Sequence, residues 1–350
     1  MKKIFIKNLS YILIIILLIS NTTISFADVN LKLPKYKILD EDFDLQRYNL
    51  EKLKANFHVD GVDNKIVIPK TGSDNLMIEG SEKIEIKLPE CINNVNGYID
   101  NNKTLYYDSN IAMIKVMPLQ ERQGELIFDG IRSDIIIKHI NSPQQYEYKY
   151  TLENNYYLIS AREYSGENSG EIYIIDKEDN IIAVIDPPHA QDADGNKVDT
   201  HYELYGNTLK QVIEPNKTTV FPIVATSTTH PNKVTTSYLS KSMTKTYYES
   251  MGYGTSDSIA RGAEILAIGL VPGGVPVATL MSVADLWTLA QRYKVEKLYK
   301  EMKSNQYLKI TITARWRNGG KNSGYVYGSP EYTIVAESKV PASILKKIKD

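Results

Sequence analysis

From Lys65 to about Ser227 the chain is made of short runs in which apolar and polar residues mostly alternate. Runs such as "KIVIPK", "KIEIKLP", "DIIIKH", "YEYKYTL" and "EIYIID" are short and rich in Ile, Val and Tyr. A period of two puts one face of each strand in a core and the other at a surface. "ENN", "GENSG" and "KEDN" separate the runs as turns, because Gly, Asn and Asp tolerate positive φ. Strands at this spacing predict an antiparallel β domain over 65–230, a sandwich or a barrel. No repeat of fixed period is present.

The texture changes near Tyr238. "YLSKSMTKTYYESMGYG" predicts a helix ending at its glycines, and Ser256 predicts the cap of a second, "DSIARGAEILAIGL". "VPGGVP" breaks that helix. A third helix is expected from about Val277 to Lys303, with Val295, Leu298, Tyr299 and Met302 on one face. Residues 238–304 therefore read as a helical hairpin region. From Tyr307 the period returns to two. Leu308, Ile310, Ile312, Ala314 and Trp316 share one face; Lys309, Thr311, Thr313, Arg315 and Arg317 share the other. With "NGGKNSG" as the turn, 305–337 predicts a β-hairpin with a basic outer face, and 338–350 a charged tail. At the other end, 28–64 is weakly patterned. "DEDFDLQRYNLEKLKANF" within it reads as one helix or as a linker. The expected class is α+β, mainly β: an antiparallel β-sandwich, then a helical hairpin, then a C-terminal β-hairpin.

Residues 1–27 change the picture of where the chain works. Lys2, Lys3 and Lys7 precede an apolar run from Ile12 to Ile19, and Ser25 and Ala27 follow. That is the grammar of a secretory signal peptide cut between Ala27 and Asp28. The run is short for a bilayer span. Cleavage removes three lysines and no acid, so the net charge becomes more negative than −1. A mildly acidic chain has no electrostatic footprint for nucleic acid. The single cysteine, Cys91, forms no internal disulfide, and "LPECINN" offers no base to activate it. The richness in Ile, Lys, Asn and Tyr points to a low-GC Gram-positive source. The end, "SILKKIKD", has no apolar tail. The expectation is a secreted, extracellular protein, free or loosely associated with the cell wall.

Candidate chemistry gathers in Ile185 to Leu209, "IDPPHAQDADGNKVDTHYELYGNTL". Counting a calcium loop from Asp192 puts Asp194, Asn196, Thr200 and Glu203 at positions 3, 5, 9 and 12. The glycine is misplaced, however: Gly195 falls at position 4 and Lys197 at position 6. A tight turn at Asp194-Gly195 accounts for the same residues and is preferred. His189 and His201 are too far apart for a zinc pair of the helical kind. A hydrolase would have to use His189, Asp192, Asp194 and His201. No GxSxG or CxxC motif is present, and Ser227 lying near His230 is not a triad. No cofactor and no catalytic residue is expected.

Two broader features remain. The 25 tyrosines suit cross-strand packing, or a carbohydrate- or peptide-binding surface. From Gly262 to Ala284 only Glu264 is charged. That stretch is either a buried helical hairpin, the preferred reading, or one that inserts into membranes.

"PPHAQDADGNKVDTHYELYGNTLKQVI" followed by "FPIVA" resembles a segment of secreted Gram-positive proteins of unassigned function. The residues that carry it are Pro188, Ala190, Asp192, Ala193, Gly195, Val198, Thr200, Tyr202, Gly206, Leu209, Gln211, Pro222, Val224 and Ala225. The resemblance implies an extracellular β module followed by a variable C-terminal part, and no catalytic residue. The leading expectation is a secreted non-enzymatic protein acting at the cell envelope or on an extracellular partner. The alternatives are a membrane-active, bacteriocin- or toxin-like effector inserting 263–289, and a secreted hydrolase.

Overall fold

The structure is a computed structural model. It describes residues 50–349 except 61–63, 81, 124–125, 154, 253–254, 272–280, 282 and 319–323. The proposed signal peptide with its Ala27–Asp28 cut, most of the 28–64 segment, "VPGGVP" after Val271 and most of "NGGKNSG" lie outside the described residues.

The chain is mostly β, in antiparallel sheets, with a few helices. The first sheet has ten strands. Its central path runs Leu105–Asp108, Ala112–Gln123, Leu126–Ile137, Ile223–Pro231, Ile181–Ile185, Ile172–Ile175, Tyr157–Ser160. His189–Gln191 pairs alongside Ile223–Pro231. The second sheet has seven strands and runs from Asp199–Tyr205 at one edge through Thr208–Glu214 and Gln145–Leu152 to Phe57–Asp60 at the other. The N-terminal part of the chain corrects one expectation: Glu51–Lys52 and Phe57–Asp60 are strands, so the β region begins before Lys65 and "LEKLKANF" is not a helix. A short helix, α1 (Ala161–Ser165), also interrupts the region expected to be β throughout.

The apolar faces of these two sheets share one buried cluster that includes Ile68, Leu76, Ile78, Ile114, Ile135, Ile174 and Leu209. Burying each such side chain contributes roughly 1.5–3 kcal/mol. The tyrosines of "QYEYKYTL" follow the strand period: Tyr146, Tyr148 and Tyr150 are buried between exposed Gln145, Glu147 and Lys149. The hydroxyls of Tyr148 and Tyr150 reach the facing sheet, while that of Tyr146 is buried without a partner. Tyr148 Oη lies 3.2 Å from Ser133 Oγ, and Tyr150 Oη 3.4 Å from Thr229 Oγ1. Tyr202 Oη donates to Ser227 Oγ at 3.0 Å. These contacts satisfy polar tips that would otherwise be costly to bury.

The C-terminal strands belong to a third sheet of four strands. Gln306–Arg317 pairs on one side with Lys233–Leu239 and on the other with both Gly324–Tyr327 and Glu331–Ala336. Residues 238 and 239 are therefore strand, and the helical region starts later. Helix α2 (Lys241–Ser250) is capped by Ser240, and α3 (Ser256–Ile268) by Thr255 rather than Ser256. The expected long helix from Val277 is interrupted by a 3-10 turn, Ala284–Trp287. Thr288 then caps a new helix, α4 (Leu289–Glu301). Leu239, Tyr247, Leu266, Trp287, Val295 and Ile310 form the core between these helices and the sheet. Glu264 reaches solvent. The expected charged tail is instead α5 (Ala342–Lys349), whose Ile344 is buried with Tyr238, Tyr307 and Val340. Among the described residues, no helix is long and apolar enough to cross a membrane.

The third sheet packs on the first. Trp316 Nε1 donates to Asp186 Oδ1 at 2.9 Å, and His230 Nε2 lies 2.9 Å from Asp186 Oδ2. The His230 and Trp316 rings stack at 3.9 Å and 8°. Tyr325 Oη donates to the Pro231 carbonyl at 2.9 Å.

Candidate functional site

The sequence-predicted cluster does not converge. Asp192 is buried and its carboxylate is spent on the backbone. It accepts from the N–H groups of Asn196 at 2.8 Å, Asp194 at 3.1 Å and Val220 at 3.3 Å, and from Asn196 Nδ2 at 3.2 Å. Burial works against its charge, but the donors from Asn196, Val220 and Asp194 outweigh it and hold the carboxyl below its usual range. Gly195 sits at φ +82° and closes the turn. Asp194 and Asn196 are exposed. Glu203 lies on the next strand, bonded to Lys210 at 2.9 Å and accepting from Tyr205 Oη at 2.9 Å. Among the described residues, no three His, Cys, Asp or Glu side chains gather in metal-binding geometry.

The histidines part in the same way. His201 is exposed on the edge strand of the second sheet, 3.8 Å from Glu203. His189 pairs with Thr226 on the first sheet. Burial, then Arg132 and Lys197, push its imidazole below the usual value, against a smaller pull from Asp134. Ser227 and His230 lie three apart on one strand: Ser227 bonds Tyr202, while His230 bonds Asp186 and stacks on Trp316. Cys91 packs partly buried against the main core, and burial pushes its thiol up to about 11.

The residues of the resembling segment take structural places. Ala190, Val198, Leu209, Gln211 and Ala225 are buried, and Thr200 Oγ1 donates to the Val212 carbonyl at 2.7 Å. Gly195 and Gly206 hold positive φ at the two turns.

A different place gathers chemistry: the groove where the third sheet meets the edge of the first. Its volume is about 620 Å³, within the range of small-ligand pockets. One wall is α1, the loop after it and the strand Ile172–Ile175; it carries Tyr164, Glu167, Glu171 and Tyr173. The other wall is the third sheet, with Arg315, Trp316 and Arg317. Local sequence explains the first wall. Ser160 and Glu163 form a capping box that starts α1, and Gly166, at φ +79°, ends it. Gly170, at φ +80°, then feeds the chain into the strand. The loop between these glycines presents Glu167 and Ser169.

Glu171 is 6% exposed. Its Oε2 accepts from Tyr173 Oη at 2.8 Å and from Ser169 Oγ at 3.1 Å. Burial, then the bond to Glu171, raise the Tyr173 hydroxyl well above its ordinary value. The Tyr164 and Tyr173 rings meet edge to face at 5.5 Å. On the opposite wall, Arg315 and Arg317 alternate with Trp316 along a strand of the predicted period, so both guanidinium groups fall on its polar side. Sequence reasoning found that basic row but missed Glu171 and Asp186. "EIYIID" assigns Glu171 and Tyr173 to a solvent face, whereas Tyr173 is buried in one cluster with Ala314, Trp316 and Tyr325 of the third sheet and Glu171 is buried beside it. No family model, curated protein or solved structure matches the chain.

Proposed function

We propose that the chain is a secreted, non-enzymatic binding protein of the cell envelope or extracellular space. In this reading the first two sheets form a sandwich scaffold, the helices and the third sheet dock on it, and the groove between them holds the ligand. The observation that carries the reading is the groove itself. It combines aromatic faces with charged groups of both signs, at a junction of two packed units where ligand sites commonly form. Of the candidate hydrolytic residues, Asp192 and Asp194 share one turn in which the Asp192 carboxylate is taken up by backbone donors, while His189 and His201 lie on different sheets.

The test is sedimentation of the exported protein with isolated Gram-positive cell walls and, separately, with lipid vesicles. The protein should co-sediment with walls, and Tyr164→Ala combined with Arg317→Glu should release it without changing its circular dichroism. Wall retention indifferent to those changes would remove the groove from the reading.

A second reading, membrane insertion of 263–289, draws on exposed apolar side chains within that segment, Ile268 at 44% and Leu289 at 49%, and on Tyr293 just beyond it at 61% exposure. Against it, Ala263, Leu266, Leu286 and Trp287 are already buried in protein. Dye release from vesicles by the wild-type protein would favour insertion.

A further inference from the structure

We propose that the groove takes a peptide chain bearing both an amine and a carboxylate; this rests on the groove being the ligand site. The argument starts from Glu171. Its Oε2 is occupied by Tyr173 and Ser169, while its Oε1 has no hydrogen bond and no ion pair among the described residues. That oxygen is not sealed from solvent, so a residue that is mostly buried keeps one carboxylate oxygen open to a cation entering the groove. Tyr164 and Tyr173 flank it with ring surface, which favours an ammonium or guanidinium group further. Glu167 adds negative charge to the same wall.

The facing wall has the opposite sign. Arg315 and Arg317 line the groove two positions apart on one strand face; Arg315 feels the charge of Asp176 without a direct ion pair, and Arg317 makes no hydrogen bond or ion pair with any described residue. Guanidinium pairs at that spacing suit a carboxylate, which they grip through paired N–H donors. A ligand carrying only an amine would leave Arg317 without a counter-charge. One carrying only a carboxylate would leave Glu171 so. A neutral saccharide would stack on the rings but answer neither wall. A peptide with a lysine-type side chain and a free carboxylate answers both, and its apolar backbone and side chains would lie over Trp316 and Tyr173.

The experiment is titration calorimetry of the exported protein with four probes. These are N-acetyl-Ala-Lys-Ala, the same peptide with the lysine acetylated, the same peptide as its C-terminal amide, and chitotriose. The first should bind, and loss of either charge should weaken it by about tenfold. Glu171→Gln, which keeps an acceptor for Tyr173, should abolish the difference between lysine and acetyl-lysine. Arg315→Gln with Arg317→Gln should abolish the difference between acid and amide. A merely structural role for Glu171 would leave that discrimination in place. Equal affinity for the three peptides, failure of all three to bind, or tighter binding of chitotriose would overturn the proposal. Chitotriose binding that Tyr164→Ala removes would keep the groove as a site while dismissing the peptide. Wall retention unaffected by groove changes would instead dismiss the groove.

Discussion

Asp192 and Glu171 are both buried carboxylates, and they are built for different ends. Asp192 is saturated by three backbone N–H groups and an amide, so it serves the turn. Asp192→Ala should destabilise the protein by about 2 kcal/mol, because orphaned backbone donors cost more than the bonds themselves contributed. Asp194→Ala, at an exposed site, should stay within about 0.5 kcal/mol. Urea unfolding measures both, and millimolar Ca²⁺ should shift neither melting temperature. The depressed carboxyl of Asp192 also fixes a pH dependence. Its contribution is present above the unfolded value of about 3.9 and is lost as the pH falls through the lower folded value. Glu171, with one oxygen unanswered, predicts the opposite: Glu171→Gln should hold or raise the melting temperature while removing ligand discrimination. The sequence showed the turn at Asp192 because Gly195 and the strand-like flanks are local signals. It could not show Glu171, because its neighbour Tyr173 is buried in a cluster with Trp316 and Tyr325, far along the chain.

Elements were legible where their period was clean. The face Leu308, Ile310, Ile312, Ala314 and Trp316 is buried as the alternation predicts. Its partner strand Lys233–Leu239 was invisible because its inward positions include Lys233, Thr235 and Ser237, polar residues that are buried here. The expected long helix broke at Thr288, whose side chain accepts from the Gln291 N–H, a cap that outweighs an unbroken run of helix formers. The tail was read by its charge, while Ile344 and Ile348, one helical turn apart, dock it. Two substitutions test the helical layer. A Cβ at Gly262 would lie 2.3 Å from Trp287 Cζ3 and 2.5 Å from Ser250 Oγ. Gly262→Ala should therefore cost about 1–3 kcal/mol despite its better helix propensity. Leu266 is 1% exposed in the same core, and Leu266→Asp should cost more than about 4 kcal/mol by burying an unpaired charge. Thermal unfolding reads both. A well-folded Leu266→Asp protein that has lost a wild-type capacity for vesicle leakage would favour the inserting hairpin instead.

At the scale of the whole molecule, the Asp186, His230 and Trp316 contacts join the third sheet to the first. Trp316→Phe deletes the indole donor and leaves Asp186 with one partner. Calorimetry should find one unfolding transition for the wild type and two for the variant, the helical layer with the third sheet melting first. The tyrosines that bridge the first two sheets carry a consequence of another kind. Burial raises Tyr148 and Tyr202 well above the ordinary phenol value, with Ser133 and Ser227 pulling slightly the other way, and raises Tyr150 to about 12. Groups raised in the folded state contribute stability that is whole below the unfolded value of about 10 and drains away as the pH climbs through the folded values. A jump to alkaline solution surrounds the folded protein with base before the sheets can part. The interior rings will surrender their protons only as the two sheets separate. The slow growth of phenolate absorbance is thus an intrinsic clock for the opening of the β core, needing no label.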